Sequence, residues 1–185
     1  MPFQINLITF LFLIISSCSY AQPFYFGSDL SYVNEMENCG AIYKEDGQAK
    51  DPYAIFADHG NNLVRLRLWH TPSWYDQLNG GQRYSDLADV RKSIQRAKAQ
   101  GMKVLLDFHL SDNWADPAKQ VVPKAWSNVV DNLPVLKDSL YRYLYQTLTE
   151  LHTEGLLPEM VQIGNETNKG ILLSQEVSDA GWVLE

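Results

Sequence analysis

Cysteine is almost absent: Cys18 and Cys39 are the only two in 185 residues. That excludes a disulfide framework and a cysteine-based zinc site. Cys39 sits in "NCGA", where a turn asks only for a small residue. Positive charge is scarce as well, with no Lys or Arg before Lys44 and no later basic run. Against 15 basic residues stand 22 acidic ones, a net charge of −7, so the chain is poorly suited to neutralise phosphates and no nucleic-acid partner is expected. Linkers, low-complexity tracts and charge blocks are missing, and no Gly-rich phosphate turn follows the first candidate strand.

Long apolar runs are also lacking, apart from Ile5 to Ile15 within "MPFQINLITFLFLIISSCSYA". That run is about half of the ~20 residues a bilayer-spanning helix needs, so residues 1–21 read as a secretory signal. Two processing routes fit. Ser19-Tyr20-Ala21 is a small-x-small cleavage site, whereas Ile15-Ser16-Ser17-Cys18 resembles a bacterial lipobox that would acylate Cys18. The expected location is extracellular or periplasmic, with membrane attachment only through a lipid at Cys18.

What is present is a core. Hydrophobic residues make up 45% and aromatics 12%, which excludes disorder and suffices for one domain over residues 22–185. The five Trp and ten Tyr also suit flat ligands with polar edges, such as sugars.

Strand and helix patterns alternate along that domain. "YFGSDLSYV" (Tyr25 to Val33) reads as a strand, followed by a polar loop to Lys50. "DPYAIFADHG" predicts a short helix with Asp51 as N-cap, Pro52 at the first helical position and Gly60 as stop. "NLVRLRLW" (Asn62 to Trp69) alternates as a strand. "SDLADVRKSIQRAKAQG" predicts a helix capped by Ser85, with Leu87, Val90, Ile94 and Ala97 as its apolar stripe. "KVLLDFHL" (Lys103 to Leu110) is a third strand, and Leu136, Leu140, Leu144, Leu148 and Leu151 recur at helical spacing. "MVQIGNE" is a fourth strand. Such alternation implies βαβ units and a parallel sheet. Polar residues at period two inside the strands favour a (β/α)8 barrel over a doubly wound sheet, but only about the first four β/α units of a ~250-residue barrel are present.

Parity along the strands selects candidates. Arg65 and Arg67 share one face of their strand and need carboxylates or a polar ligand there. Asp107 and His109 point inward beside the loop "SDNWADP". An Asp-x-His pair could ligate a metal, yet no second His or Cys cluster accompanies it, and no cofactor is expected. Gln162, Gly164 and Glu166 share a face, so Asn165 could reach the same ligand as Glu166 only if the strand end breaks its pleat.

In that order and spacing, "FGSDLSYV", "NLVRLRLW", "VLLDFHLSDNWADP" and "VQIGNETNKGILL" resemble the arabinogalactan endo-β-1,4-galactanases, glycoside hydrolase family 53. The resemblance runs from Gly27 to Leu173. It implies a (β/α)8 barrel and retaining hydrolysis of β-1,4-galactan by an enzyme that is a monomer at full length. By position it implies that Glu166 is the general acid/base, Asn165 the partner of the sugar 2-hydroxyl, and Arg65 the arginine that orients the nucleophile. Asp29, His109, Asp112 and Trp114 resemble residues lining the galactan cleft, while Trp69 reads as structural.

Retaining hydrolysis uses two carboxyl groups ~5 to 5.5 Å apart. In the family the nucleophile is a Glu ending strand seven, and Glu176 and Glu185 come too soon to be it. The chain is therefore expected to be an amino-terminal fragment, inactive and poorly folded by itself. Other readings remain open: a non-catalytic carbohydrate-binding half-barrel, a related retaining glycosidase acting on another β-linked polysaccharide, and, more remotely, a metal-dependent hydrolase.

Overall fold

A computed structural model describes residues 23–175; the segment expected to be a signal, Cys18, Glu176 and Glu185 lie outside the described residues. Four parallel strands form one sheet in the order β1 (Gly27–Asp29), β4 (Leu63–Leu68), β5 (Lys103–Phe108), β6 (Met160–Ile163). Each strand pairs with the next in chain order, which is the strand sequence of the first half of a (β/α)8 barrel.

Helices α2 (Pro52–Asp58), α3 (Leu87–Ala99) and α4 (Leu133–Thr153) occupy the crossovers. Asp51 caps α2 by accepting from Tyr53 N, with Pro52 in its first turn. In α3 the capping side chain is Asp86, which accepts from Asp89 N, rather than the expected Ser85. Ser85 instead adopts φ 54 and hands its N–H to Asp89 Oδ2 at 2.8 Å, a turn that sets the helix one residue later.

The core lies between the sheet and these helices. Val64, Leu66 and Leu68 of β4 and Val104, Leu106 and Phe108 of β5 are buried against Val90, Ile94 and Ala97 of α3 and Leu136 and Leu151 of α4. Full burial of each large side chain stabilises the fold by ~1.5–3 kcal/mol. Val161 and Ile163 pair with Leu106 and Phe108 and share their outer face, yet they are 40% and 55% exposed. Among the described residues no helix covers them.

Three expectations need correction. The first strand spans only Gly27–Asp29, because Leu30 and Ser31 turn the chain into a short helix, α1 (Val33–Asn38), too brief to show a periodicity. The polar loop before Lys50 holds a hairpin, β2 (Lys44–Glu45) and β3 (Gln48–Ala49), closed by Asp46 and Gly47 at φ 48 and 77. The fourth strand stops at Ile163 instead of running to Glu166, since Gly164 takes φ 81.

Candidate active site

The inner face of the sheet gathers its charges on Arg65. Asp29 and Arg65 are register partners across β1 and β4, and Nη1 of Arg65 donates to Asp29 Oδ2 at 2.6 Å. Nη2 pairs with Asp107 Oδ2 from β5 and donates to Asn165 Oδ1 at 2.8 Å, while Nε donates to Gln162 Oε1 at 3.2 Å. One guanidinium, rooted midway along β4, therefore ties all four strands together. Asp107 is completely buried and Arg65 only partly, so the arginine is the means by which that carboxylate is held inside.

Burial pulls the Asp29 carboxyl upward, but hydrogen bonds from the Ser31 hydroxyl and amide, together with Arg65, outweigh it and hold Asp29 below the ordinary carboxylate value. Ser31 is itself buried and also accepts from Arg67 N at 2.9 Å, fixing the turn after β1 to β4.

Arg67, on the same face as Arg65, meets aromatic rings and a hydroxyl in place of a carboxylate. Among the described residues no carboxylate lies within salt-bridge distance. Its guanidinium sits 4.3 Å from the ring centres of Tyr32 and Trp69 and 5.2 Å from that of Trp114, with Nη2 donating to Ser85 Oγ at 3.1 Å. Aromatic faces can stabilise a desolvated cation by ~2 kcal/mol or more. Trp69 is buried in this cluster, in keeping with a structural role.

His109 is buried beneath Trp114, its ring edge-on to Trp69 and Trp114. Its Nδ1 lies 2.8 Å from Asp107 Oδ2, near enough for charge pairing but outside hydrogen-bond geometry, and neither ring nitrogen has a hydrogen-bond partner. Trp114 is 40% exposed at the carboxyl edge of the sheet and lines a hollow with Ser111, Asn113, Lys119 and Val121. Asp112 is turned toward its own neighbourhood: its two carboxylate oxygens accept from Thr71 N and Lys124 N, each at 2.9 Å, joining two loops.

Asn165 and Glu166 reach the site through a broken pleat. Gly164 N–H still bonds to Phe108 O at 2.8 Å, after which Gly164 and Glu166 adopt φ 81 and 51. This double left-handed step swings Asn165 back to Arg65 and leaves Glu166 exposed at the edge. A Cβ on Gly164 would come within 2.5 Å of Thr167 Cγ2, so the corner requires glycine. Asn165 is buried, and its Nδ2 donates to Ala115 O at 2.8 Å.

Asp107, Gln162 and Gln120 complete the arrangement. Parity marks the first two as inward, whereas nothing in the spacing of "DPAKQVV" marks Gln120, because its partners are backbone carbonyls 45 and 46 positions away. Among the described residues no group of three His, Cys, Asp or Glu side chains gathers to hold a metal.

The sequence and the fold have counterparts in known proteins. Residues 25–183 match the family model described as glycosyl hydrolase family 53. The chain is 53% identical over 154 residues to an arabinogalactan endo-beta-1,4-galactanase of Cellvibrio japonicus, covering 83% of this chain and 39% of that protein. It is 45% identical over 148 residues to an endo-beta-1,4-galactanase of Bacillus subtilis, covering 78% of this chain and 33% of that one. Among solved structures it resembles the GH53 catalytic domain of Ignisphaera aggregans, with TM-score 0.72 and 38% identity over 83% of this chain and 43% of that chain. The chain thus spans between a third and somewhat under half the length of these relatives. It belongs to glycoside hydrolase family 53.

Proposed function

We propose that the chain supplies the acid/base half of a retaining endo-β-1,4-galactanase site. The observation that carries this is the Asn165–Glu166 corner, which leaves Glu166 at the carboxyl edge while its neighbour is locked to Arg65. The names of the relatives from Cellvibrio japonicus and Bacillus subtilis support β-1,4-galactan as substrate.

Glu166 donates a proton to the glycosidic oxygen as a carboxylate from polypeptide outside these four strands attacks the anomeric carbon. It then takes a proton from the water that releases the sugar. An anionic nucleophile nearby favours the protonated form of a general acid. Arg65 has five N–H groups and uses four of them, on Asp29, Asp107, Asn165 and Gln162. One N–H on Nη1 is left for the incoming nucleophile, which suits an orienting role. Asn165 offers its amide to the sugar 2-hydroxyl, and Trp114 a flat face to a galactosyl ring. His109 and Asp112 act beneath and beside that face: His109 backs the Trp114 ring, and Asp112 fixes the loop that carries it.

The same reading holds that the 185-residue polypeptide by itself does not hydrolyse galactan, that the full enzyme is secreted or lipid-tethered, and that it works as a monomer. The test is release of reducing ends from β-1,4-galactan, mannan and cellulose by two proteins: this chain alone, and the chain followed by the strands that complete its barrel. Activity of the completed enzyme on galactan alone is expected. Preference for mannan or cellulose would replace the substrate, and galactan binding without turnover would favour a carbohydrate-binding module. Hydrolysis by the 185 residues alone would overturn the division of the site.

A further inference from the structure

We infer that Gln120 is a positioning residue for the acid/base, acting through the main-chain carbonyls of the two peptides that flank the Glu166 Cα. The inference rests on the reading of Glu166 given above. Gln120 is 3% exposed and lies in the segment after β5, away from every strand of the sheet. Its Nε2 donates to Asn165 O at 2.7 Å, to Asp116 O at 3.0 Å and, more weakly, to Glu166 O at 3.3 Å.

The carbonyls it holds are those with no place in the ladder. The ladder ends with Gly164 N–H on Phe108 O, and beyond it the chain turns left-handed at Glu166, φ 51, a conformation that ordinary residues avoid. A carbonyl pair turned inward at such a corner needs donors, and water has little access to Asn165, which is 8% exposed. A buried primary amide brings two N–H groups, here spread over three carbonyls, without adding a charge. Lysine or arginine would bring the donors together with a buried cation.

Gln120 also anchors the far side of the same turn. Its own carbonyl accepts from Leu173 N at 2.7 Å, and Leu173 O accepts from Val122 N at 2.9 Å. Side chain and main chain of one residue thus bracket the segment Glu166–Leu172, whose ends are both left-handed, Leu172 with φ 57. Asn165 is fixed separately through Arg65 and Ala115. The bracket therefore sets where the Glu166 carboxyl points, while Asn165 keeps its place.

The experiment compares wild type, Gln120→Met, Gln120→Glu and Glu166→Ala in the enzyme whose barrel is complete. Each is assayed on β-1,4-galactan and on a 2,4-dinitrophenyl β-galactobioside, whose leaving group departs without a proton. Gln120→Met keeps the shape and removes the donors. Loss of alignment by about an ångström can reduce rate ~10²-fold. We expect kcat/KM on galactan to fall by that order in both Gln120 variants, with KM nearly unchanged and kcat/KM on the aryl substrate within about threefold of wild type. An equal fall on both substrates would show a merely structural glutamine, and no fall on galactan would show that the bracket is idle; either overturns the inference. Glu166→Ala separates the two readings: if it lacks the selective loss on galactan, the acid/base assignment fails, whereas if only the Gln120 variants lack it, this inference alone fails. Gln120→Glu carries the test if Gln120→Met does not fold.

Discussion

Arg65 Nη2 and Asn165 Oδ1 lie 2.8 Å apart although 100 positions separate them in the chain. The same nitrogen holds the buried Asp107 carboxylate. Replacing Arg65 by Met leaves that carboxylate inside without its cation, which by comparison with other broken buried pairs costs ~3–5 kcal/mol. Urea unfolding of the completed enzyme checks this, and Arg65→Met combined with Asp107→Asn should regain a large share. If the double variant is no more stable than the single one, the charge on Asp107 is not what Arg65 offsets.

Glu166→Gln keeps the size of the side chain and removes the acid/base chemistry proposed for it. Turnover of galactan should drop ~10²–10⁴-fold, the usual worth of general acid–base catalysis, with little change in KM. Steady-state kinetics on galactan suffice. A variant within tenfold of wild type would remove Glu166 from the role.

Gly164→Ala forces a side chain into φ 81 and brings a Cβ within 2.5 Å of Thr167 Cγ2. The left-handed backbone alone costs an L-residue ~1–2 kcal/mol. Thr167→Ser in the same chain should relieve the contact but not the backbone term, so the double variant should fall between wild type and Gly164→Ala in denaturant midpoint.

His70 packs on Trp126 and Tyr143, with ring centres 4.9 and 4.6 Å away. Burial lowers its pKa below 6.5, and the nearby Asp112 offsets this only in part. The unfolded chain therefore takes up the proton first as the solution becomes acidic. The contribution of His70 is complete above pH 6.5 and is lost as pH falls through its lowered folded value. Stability of wild type should decline between pH 7 and pH 5 more steeply than that of His70→Gln. Parallel curves would show that the imidazole is solvated.

Val161 and Ile163 are exposed on the outer face of an edge strand, and Phe26, 49% exposed, lies next to the other edge. Unpaired edges flanked by apolar side chains promote association. The 185-residue polypeptide should elute above monomer size and melt broadly; a sharp, concentration-independent melt of a compact monomer would contradict this.

Much of the fold was legible because alternation and capping are local signals. Val64, Leu66, Leu68, Val104, Leu106 and Phe108 face outward as period two requires, and Asp51 caps the helix it was expected to cap. Inward parity also brought Arg65, Asp107 and Gln162 to one place. The Asp46-Gly47 hairpin was missed although its turn chemistry was present, because the flanking strands have only two residues each. The ring cluster around Arg67 was not legible, since Tyr32, Trp69 and Trp114 come from three separate connections. The break of the pleat was legible only as a condition for Asn165 and Glu166 to share a ligand; its place and form, left-handed φ at Gly164 and Glu166, were not.

The corner at Glu166 is fastened to the segment from Ala115 to Val122, which carries only an isolated bridge, Asp116 to Lys119, and a second one to Leu173. Segments of that kind open at lower free energy than a sheet interior. Warming therefore releases the proposed acid/base while the strands are still paired. Heat should silence the enzyme before it melts it, and catalytic lifetime at elevated temperature belongs to a loop.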